Sequence, residues 1–336
     1  MEIIIGLLII AIGAFCQSSC YVPINKIKSW SWESYWIVQG VFAWLVFPFL
    51  GALLAVPAGR SLLEVYLSNP SATLWSIFFG VLWGVGGLTF GLSMRYLGVA
   101  LGQSIALGTC AGLGTILTPI FTGNAGDLTS AVITGVVVTL VGIAIIGYAG
   151  SLKSATLSEE EKKKAVKDFN FPKGIMVALL AGFMSACFSI GLGFGAPLCF
   201  EETDAIYRTL PATFMVTFGG FITNAIYCFY QNSKNKTWKD YGETSLFANN
   251  ILFCALAGVL WYSQFFGLSL GKGFLADSPA LLTFSWCILM SLNVTFSNVW
   301  GIILKEWKGC TQKTIVVLLV GLIILIISCF LPELLK

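Results

Sequence analysis

Apolar runs of about 20 residues recur ten times along the chain, and they constrain its fold more than any other feature. A helix of that length crosses the roughly 30 Å hydrocarbon layer of a bilayer. Because 57% of the residues are hydrophobic and only 10% are charged, these helices lack the charged face that a soluble protein needs. The sequence therefore predicts an all-α membrane protein with ten transmembrane helices, at about residues 2–22, 32–57, 71–95, 98–121, 129–150, 173–196, 207–231, 246–270, 278–304 and 312–332.

A charged segment at residues 152–172 separates the first five predicted spans from the last five. We interpret this segment as a cytoplasmic linker between two five-helix repeats, at residues 1–151 and 173–336. Five helices per repeat insert the two halves in opposite orientations, which is a recurrent design of secondary transporters. Gly80–Trp83 (GVLW) recurs as Gly258–Trp261, in the third predicted span of each half, and this recurrence favours two related halves.

Basic residues are distributed unequally between the two sets of loops. The loops after spans one, three, five, seven and nine carry 15 of the 19 lysines and arginines. Loops rich in lysine and arginine remain in the cytoplasm, so both termini are predicted on the opposite face of the membrane.

The sequence lacks residue patterns that are typical of catalytic and metal-binding sites. Histidine is absent, and the ten cysteines form no CxxC pair. Histidine is the commonest general base and metal ligand, so we predict neither an intramembrane enzyme nor a metal site.

Glu33 is the acidic residue with the strongest claim to function. It lies in the aromatic segment Trp30–Trp36, at the start of the second predicted span. One interpretation is an acid at a helix N-terminus within an interfacial aromatic belt. The other is a carboxylate that binds a proton when the site around it closes and excludes water.

Aromatic and amide side chains share helix faces on several predicted spans. Indole rings stack on the C–H surface of a sugar, and amides hydrogen-bond its hydroxyl groups in both directions. The alternative is hydrogen bonding between helices together with interfacial tryptophans. The candidate substrate-binding residues are Gln17, Tyr21, Trp32, Trp36, Gln39, Trp261, Tyr262, Gln264, Trp286 and Asn293.

Several short motifs together point to a known family. They are Lys28–Glu33, Trp83-Gly84, Gly91–Gly98, Trp261–Phe266, Ser285-Trp286, Met290-Ser291 and Leu304–Trp307. In these motifs, and over nearly its whole length, the chain resembles the L-rhamnose–proton symporters of the drug/metabolite transporter superfamily.

The resemblance implies a ten-helix carrier of the bacterial inner membrane that imports L-rhamnose, or a closely related sugar, with protons by alternating access. It also implies that Glu33 is the proton-coupling acid. The expected partners are L-rhamnose, protons and the lipid bilayer, with no nucleic acid and no cofactor apart from the coupling proton. An exporter of another small metabolite from the same superfamily is the alternative, and the intramembrane amides argue against it.

Overall fold

The computed structural model describes residues 1–155, 170–242 and 244–335, and these residues form helices joined by short loops, with no β-strand among them. Most of the predicted linker lies outside the described residues. The helices are α1 (Glu2–Ser18), α2 (Tyr21–Ile24), α3 (Trp32–Gly40), α4 (Phe47–Leu53), α5 (Leu62–Ser68), α6 (Pro70–Leu97), α7 (Val99–Phe121), α8 (Ser130–Ala155), α9 (Phe171–Phe194), α10 (Leu210–Asn235), α11 (Thr244–Phe274), α12 (Pro279–Ile303), α13 (Gln312–Ser328) and α14 (Leu331–Leu334).

The all-helical membrane class predicted from the sequence is confirmed. In the described part of the chain, nine helical segments are long and apolar enough to cross a membrane. The tenth predicted span corresponds to α13, an apolar helix of 17 residues. At 1.5 Å per residue, α13 is roughly 25 Å long, at the short end of what crosses a bilayer. The inverted relationship between residues 1–151 and 173–336 stays a prediction.

The second predicted span contains a local change of helix type that the sequence did not predict. Between α3 and α4, residues Val41–Val46 form a π-helix. π-Helical turns are rare and frequently occur at functional sites. The indole of Trp44, within this turn, packs directly against Gly40, where a β-carbon would overlap the ring.

The helices group into two compact units. The first unit comprises Met1–Gly84 and Gly191–Phe274, and the second comprises Val85–Ile190 and Leu275–Lys336. Each unit therefore contains residues from both halves of the sequence. Two of the three unit boundaries fall inside α6 and α9, and the third follows the last residue of α11.

Glycines determine how closely helices approach in the first unit. A β-carbon on Gly13 of α1 would lie 2.6 Å from the carbonyl oxygen of Ser263 in α11. A β-carbon on Gly80 of α6 would lie 2.9 Å from the carbonyl carbon of Val216 in α10. In lipid, helix association depends on such close packing rather than on a hydrophobic driving force, because lipid tails are also apolar.

The second unit is held together by similar contacts. A β-carbon on Gly142 of α8 would lie 2.7 Å from the Leu325 side chain of α13. Nearby, the Thr139 hydroxyl donates to the Ser328 hydroxyl at 3.0 Å. Neutral hydrogen bonds of this kind satisfy polar side chains that lie within the membrane.

Candidate functional site

Glu33 occupies the first turn of α3, in the first unit. Ser31, two residues before Glu33, has an extended backbone conformation (φ −63°, ψ 160°), and the helix begins directly after it. The first turn of a helix presents unpaired N–H groups and the positive end of the helix dipole, and both favour an anion. The side chain of Glu33 is nevertheless only 6% exposed. This residue therefore combines the helix-terminal position of the first interpretation with the burial that the second requires.

The carboxylate of Glu33 has only neutral hydrogen-bond donors among its described partners. Its Oε1 accepts from Asn235 Nδ2 at 2.9 Å and from the Thr237 hydroxyl at 2.9 Å. Within residues 1–155, 170–242 and 244–335, the ion pairs join Arg60 to Glu64 and Glu202. Glu33 can therefore gain or lose a proton without breaking an ion pair.

The Thr237 hydroxyl gives this site two hydrogen-bonding states. The hydroxyl oxygen is also 3.0 Å from Asn232 Oδ1, which accepts from the Ser34 hydroxyl at 3.1 Å. A threonine hydroxyl has one proton to donate and lone pairs that accept. When Glu33 is ionised, Thr237 can donate to it. When Glu33 is protonated, its O–H can donate to Thr237 while Thr237 donates to Asn232.

Two residues with left-handed backbone lie beside this polar cluster. Lys236 (φ 57°, ψ 39°) ends α10 and turns the chain into the 3₁₀ segment Thr237–Gly242. Ser29 (φ 59°) precedes α3. Non-glycine residues in this region store roughly 1–3 kcal/mol of strain each, and such strain concentrates at functional sites.

Asp240 is a second buried acid that sequence reasoning did not single out. It is 6% exposed, and its Oδ2 accepts from the Ser31 backbone N–H at 2.8 Å and from the Ser31 hydroxyl at 2.5 Å. Burial acts to raise the pKa of Asp240, but hydrogen bonds from Ser31 and Ser34 outweigh it and hold the pKa below its ordinary value. In the sequence Asp240 is one loop acid among several, and no pattern distinguishes it.

Five indole rings form a continuous series that starts beside Glu33, and we call them the tryptophan cluster. Trp32 stacks on Trp36 with ring centroids 5.3 Å apart, and Trp36 meets Trp44 edge-on at 5.7 Å. Trp44 in turn contacts Trp83 at 6.2 Å and Trp261 at 5.9 Å. Trp83 and Trp261 are 5.7 Å apart, so the tryptophans of the two GVLW motifs meet here.

Several buried polar atoms of the first unit have no hydrogen-bond partner in the described part of the chain, and two of them lie on the span that carries Trp36. These two are Trp44 Nε1, a donor, and Gln39 Oε1, an acceptor. Their residues are 3% and 2% exposed. Leaving such a group unsatisfied costs about 1–3 kcal/mol, which a ligand hydroxyl would recover. By contrast, Trp36 Nε1 already donates to Asn224 Oδ1 at 3.0 Å.

The structure thus brings together Trp32, Trp36 and Trp261 of the predicted substrate residues. Gln39 lies one turn after Trp36 on α3, and its side chain is buried. Sequence reasoning missed Trp44, which shares this helical span with Trp36 and Gln39. The π-helical turn is the reason, because regular α-helical spacing does not align residue 44 with that stripe.

Four other predicted substrate-binding residues lie in the first unit and differ in their burial and contacts. Gln264 is buried, and its Nε2 donates to the carbonyl oxygen of Trp261 at 3.2 Å. Tyr262 is buried with its hydroxyl against Gly51. Gln17 is half-buried, whereas Tyr21 is exposed.

Trp286 and Asn293 belong to the second unit. The Trp286 ring is buried against Gly114, stacks on Phe188 at 5.7 Å and donates from Nε1 to the Cys110 carbonyl oxygen at 3.1 Å. The Trp286 indole therefore packs against residues of the second unit and helps to hold that unit together. Asn293 is half-buried on α12.

Comparison with known proteins identifies relatives over nearly the whole chain. The family described as L-rhamnose-proton symport protein (RhaT) matches residues 1–334. L-rhamnose-proton symporters of Yersinia pestis (strain Pestoides F) and Yersinia pseudotuberculosis serotype O:1b (strain IP 31758) are each 34% identical to this chain over 340 residues. These alignments cover 97% of this chain and 96% of each relative. Such a family consists of transporters rather than enzymes. The chain belongs to the L-rhamnose-proton symport protein family.

Proposed function

We propose that this chain imports L-rhamnose, or a closely related sugar, together with protons by alternating access. The names of its relatives describe L-rhamnose–proton symport, and similarity over nearly the full length favours the same cargo. Export of another metabolite is not favoured by this family membership. We further propose a location in the bacterial inner membrane with both termini in the periplasm, on the basis of the distribution of basic residues.

The observation that carries the proposal is the presence of a buried acid and an aromatic surface on one helical span. Glu33 and Trp36 are one turn apart on α3, and Trp44 follows in the π-helical turn. A proton on Glu33 and a sugar on the indoles would therefore both bias the position of the same span. A ligand shifts a conformational equilibrium when it binds the two conformations differently, so coupling requires such a shared element.

Glu33 holds the coupling proton in this proposal. Its Oε1 takes the proton, and the hydrogen bond with the Thr237 hydroxyl then reverses direction, because Asn232 accepts the threonine proton. Both protonation states keep their hydrogen bonds, so a single proton can be exchanged without leaving a buried polar group unsatisfied. No cofactor is needed, since the proton is the coupling ion.

The tryptophan cluster receives the sugar in this proposal. The C–H face of a pyranose packs on an indole ring, and its hydroxyl groups both donate and accept. Gln39 Oε1 and Trp44 Nε1 supply one acceptor and one donor that the protein leaves unpaired. Of the other residues that the sequence predicts as sugar contacts, Gln17, Tyr21, Tyr262 and Gln264 of the first unit stay part of the proposal. Asn293 stays a sequence-based prediction, and the packing of the Trp286 indole within the second unit favours a structural role for it.

Uptake into proteoliposomes tests the proposal. We expect labelled L-rhamnose to accumulate under an inward proton gradient and to equilibrate only when an ionophore collapses that gradient. Glu33→Gln should abolish accumulation but leave L-rhamnose binding measurable by calorimetry, while Glu306→Gln, at an exposed acid, should behave as wild type. Accumulation that survives in Glu33→Gln would remove Glu33 from the coupling role, and the absence of any L-rhamnose binding would refute the cargo.

A further inference from the structure

We propose that Asp240 is a positioning residue that sets how readily Glu33 takes up a proton, through its negative charge and its hydrogen bonds to the start of α3. This inference rests on the proposed role of Glu33 as the proton site. It assigns a function to an acid that lies outside the membrane-spanning helices, in the 3₁₀ segment Thr237–Gly242.

The geometry at Ser31 is the first argument. Ser31 stands at the N-cap position of α3, where a serine hydroxyl normally accepts from a backbone N–H of its own helix. Here it makes no such bond and donates instead to Asp240, as does its backbone N–H. Asp240 therefore fixes the residue from which α3 starts, two positions before Glu33.

The charge of Asp240 is the second argument. Glu33 and Asp240 are each only 6% exposed, and they are close enough for their charges to interact. Two carboxylates at one buried site oppose each other's ionisation, so the charge of Asp240 favours the protonated form of Glu33. The donors to Glu33, Asn235 and Thr237, act in the opposite sense because they stabilise the anion.

The other ionisable groups near the two acids are few among the described residues. Cys228 of α10 interacts with Glu33, and Cys254 of α11 lies against the backbone of Tyr35 in α3. Lys239 and Tyr241 flank Asp240, and the charge of Lys239 acts on it. Lys239 is exposed, so solvent screens its effect, and Asp240 is the buried charge best placed to act on Glu33.

An infrared titration of the purified protein tests the inference without any sugar. The band of interest is the protonated-carboxyl stretch that Glu33→Gln removes. In Asp240→Asn, which retains a hydrogen-bond acceptor for Ser31, we expect the pH midpoint of this band to move down by roughly half a unit to one unit. Asp240→Glu, which keeps the charge, should restore the midpoint, and Glu306→Gln should leave it unchanged. An unchanged midpoint in folded Asp240→Asn would overturn the inference.

A second variant keeps the test decisive if Asp240→Asn does not fold. Asp240→Ser also removes the charge and keeps a hydroxyl oxygen that can accept from Ser31, so the midpoint should again move down. A midpoint that stays fixed, or moves up, in folded Asp240→Ser would contradict the inference. Failure of the proposed function has a different signature, because wild-type proteoliposomes would then show no proton-driven L-rhamnose uptake while the infrared midpoints could still be compared.

Discussion

The hydroxyl of Thr237 lies 2.9 Å from Oε1 of Glu33, and this hydrogen bond ties the 3₁₀ segment after α10 to the first turn of α3. The acid that we propose as the proton site is therefore held by a segment outside the membrane-spanning helices. This hydrogen bond therefore links the proposed proton site to the segment that joins α10 to α11.

Replacing Thr237 with valine should make Glu33 easier to protonate. Valine keeps the shape of the side chain but removes a donor that stabilises the carboxylate anion. A hydrogen bond to a charged group contributes about 1.5–3 kcal/mol, so the pH at which L-rhamnose uptake falls off as Glu33 loses its proton should move up by roughly one pH unit or more. The pH profile of initial uptake rates measures this shift, and Thr237→Ser, which keeps the hydroxyl, serves as the control. Identical profiles for valine and serine would exclude the hydrogen bond from coupling.

Replacing Trp44 with phenylalanine should weaken sugar binding. The change keeps an aromatic ring in the tryptophan cluster but removes the Nε1 donor, which has no partner in the described part of the chain. Loss of one ligand hydrogen bond costs about 1 kcal/mol, so the Kd for L-rhamnose should rise roughly five- to tenfold. Calorimetric titration measures this change. Trp75→Phe is the matched control, because Trp75 lies on α6 of the same unit with 45% of its surface exposed. If the two substitutions raise the Kd equally, Trp44 does not contact the sugar.

Much of this site follows from the sequence, and the rest depends on tertiary structure. The position of Glu33 at a helix start and the stripe of Trp32, Trp36 and Gln39 follow from position and periodicity. The burial of Glu33 does not, because the sequence equally allowed an interfacial acid. The repeated GVLW motif identified Trp83 and Trp261 as related positions, but the local sequence does not predict that their rings are in contact. That contact depends on the packing of α6 and α11 around the same π-helical turn.

The features of the site that the sequence did not predict share a physical cause. Thr237 and Asp240 are polar residues in a short loop, where polar residues are ordinary, and only the left-handed turn at Lys236 brings them to α3. The π-helix at Val41–Val46 shifts Trp44 out of α-helical register. Sequence periodicity assumes regular helices, so it cannot anticipate either departure.

Trp286 provides a test that separates packing from sugar binding. Trp286→Phe removes the donor to the Cys110 carbonyl and leaves space beside Phe188. We expect it to lower the free energy of unfolding by about 2 kcal/mol, seen as a lower Tm, with little change in the Kd for L-rhamnose. Trp44→Phe should instead raise the Kd, because it removes a donor that the protein leaves unpaired. A raised Kd in Trp286→Phe at unchanged Tm would instead support the sequence-based prediction that Trp286 contacts the sugar.

Gly80 tests whether the close approach of α6 and α10 stabilises the first unit. A β-carbon there would meet the backbone of Val216, which cannot move aside as a flexible side chain would. Gly80→Ala should therefore destabilise the protein by about 1–3 kcal/mol, despite the higher helix propensity of alanine. Gly87→Ala on the same helix is the control, since a β-carbon at Gly87 has no atom within 4 Å. Thermal unfolding in detergent compares the two variants. If the Tm of Gly80→Ala equals or exceeds that of Gly87→Ala, the contact between α6 and α10 accommodates a β-carbon and is looser than the structure describes.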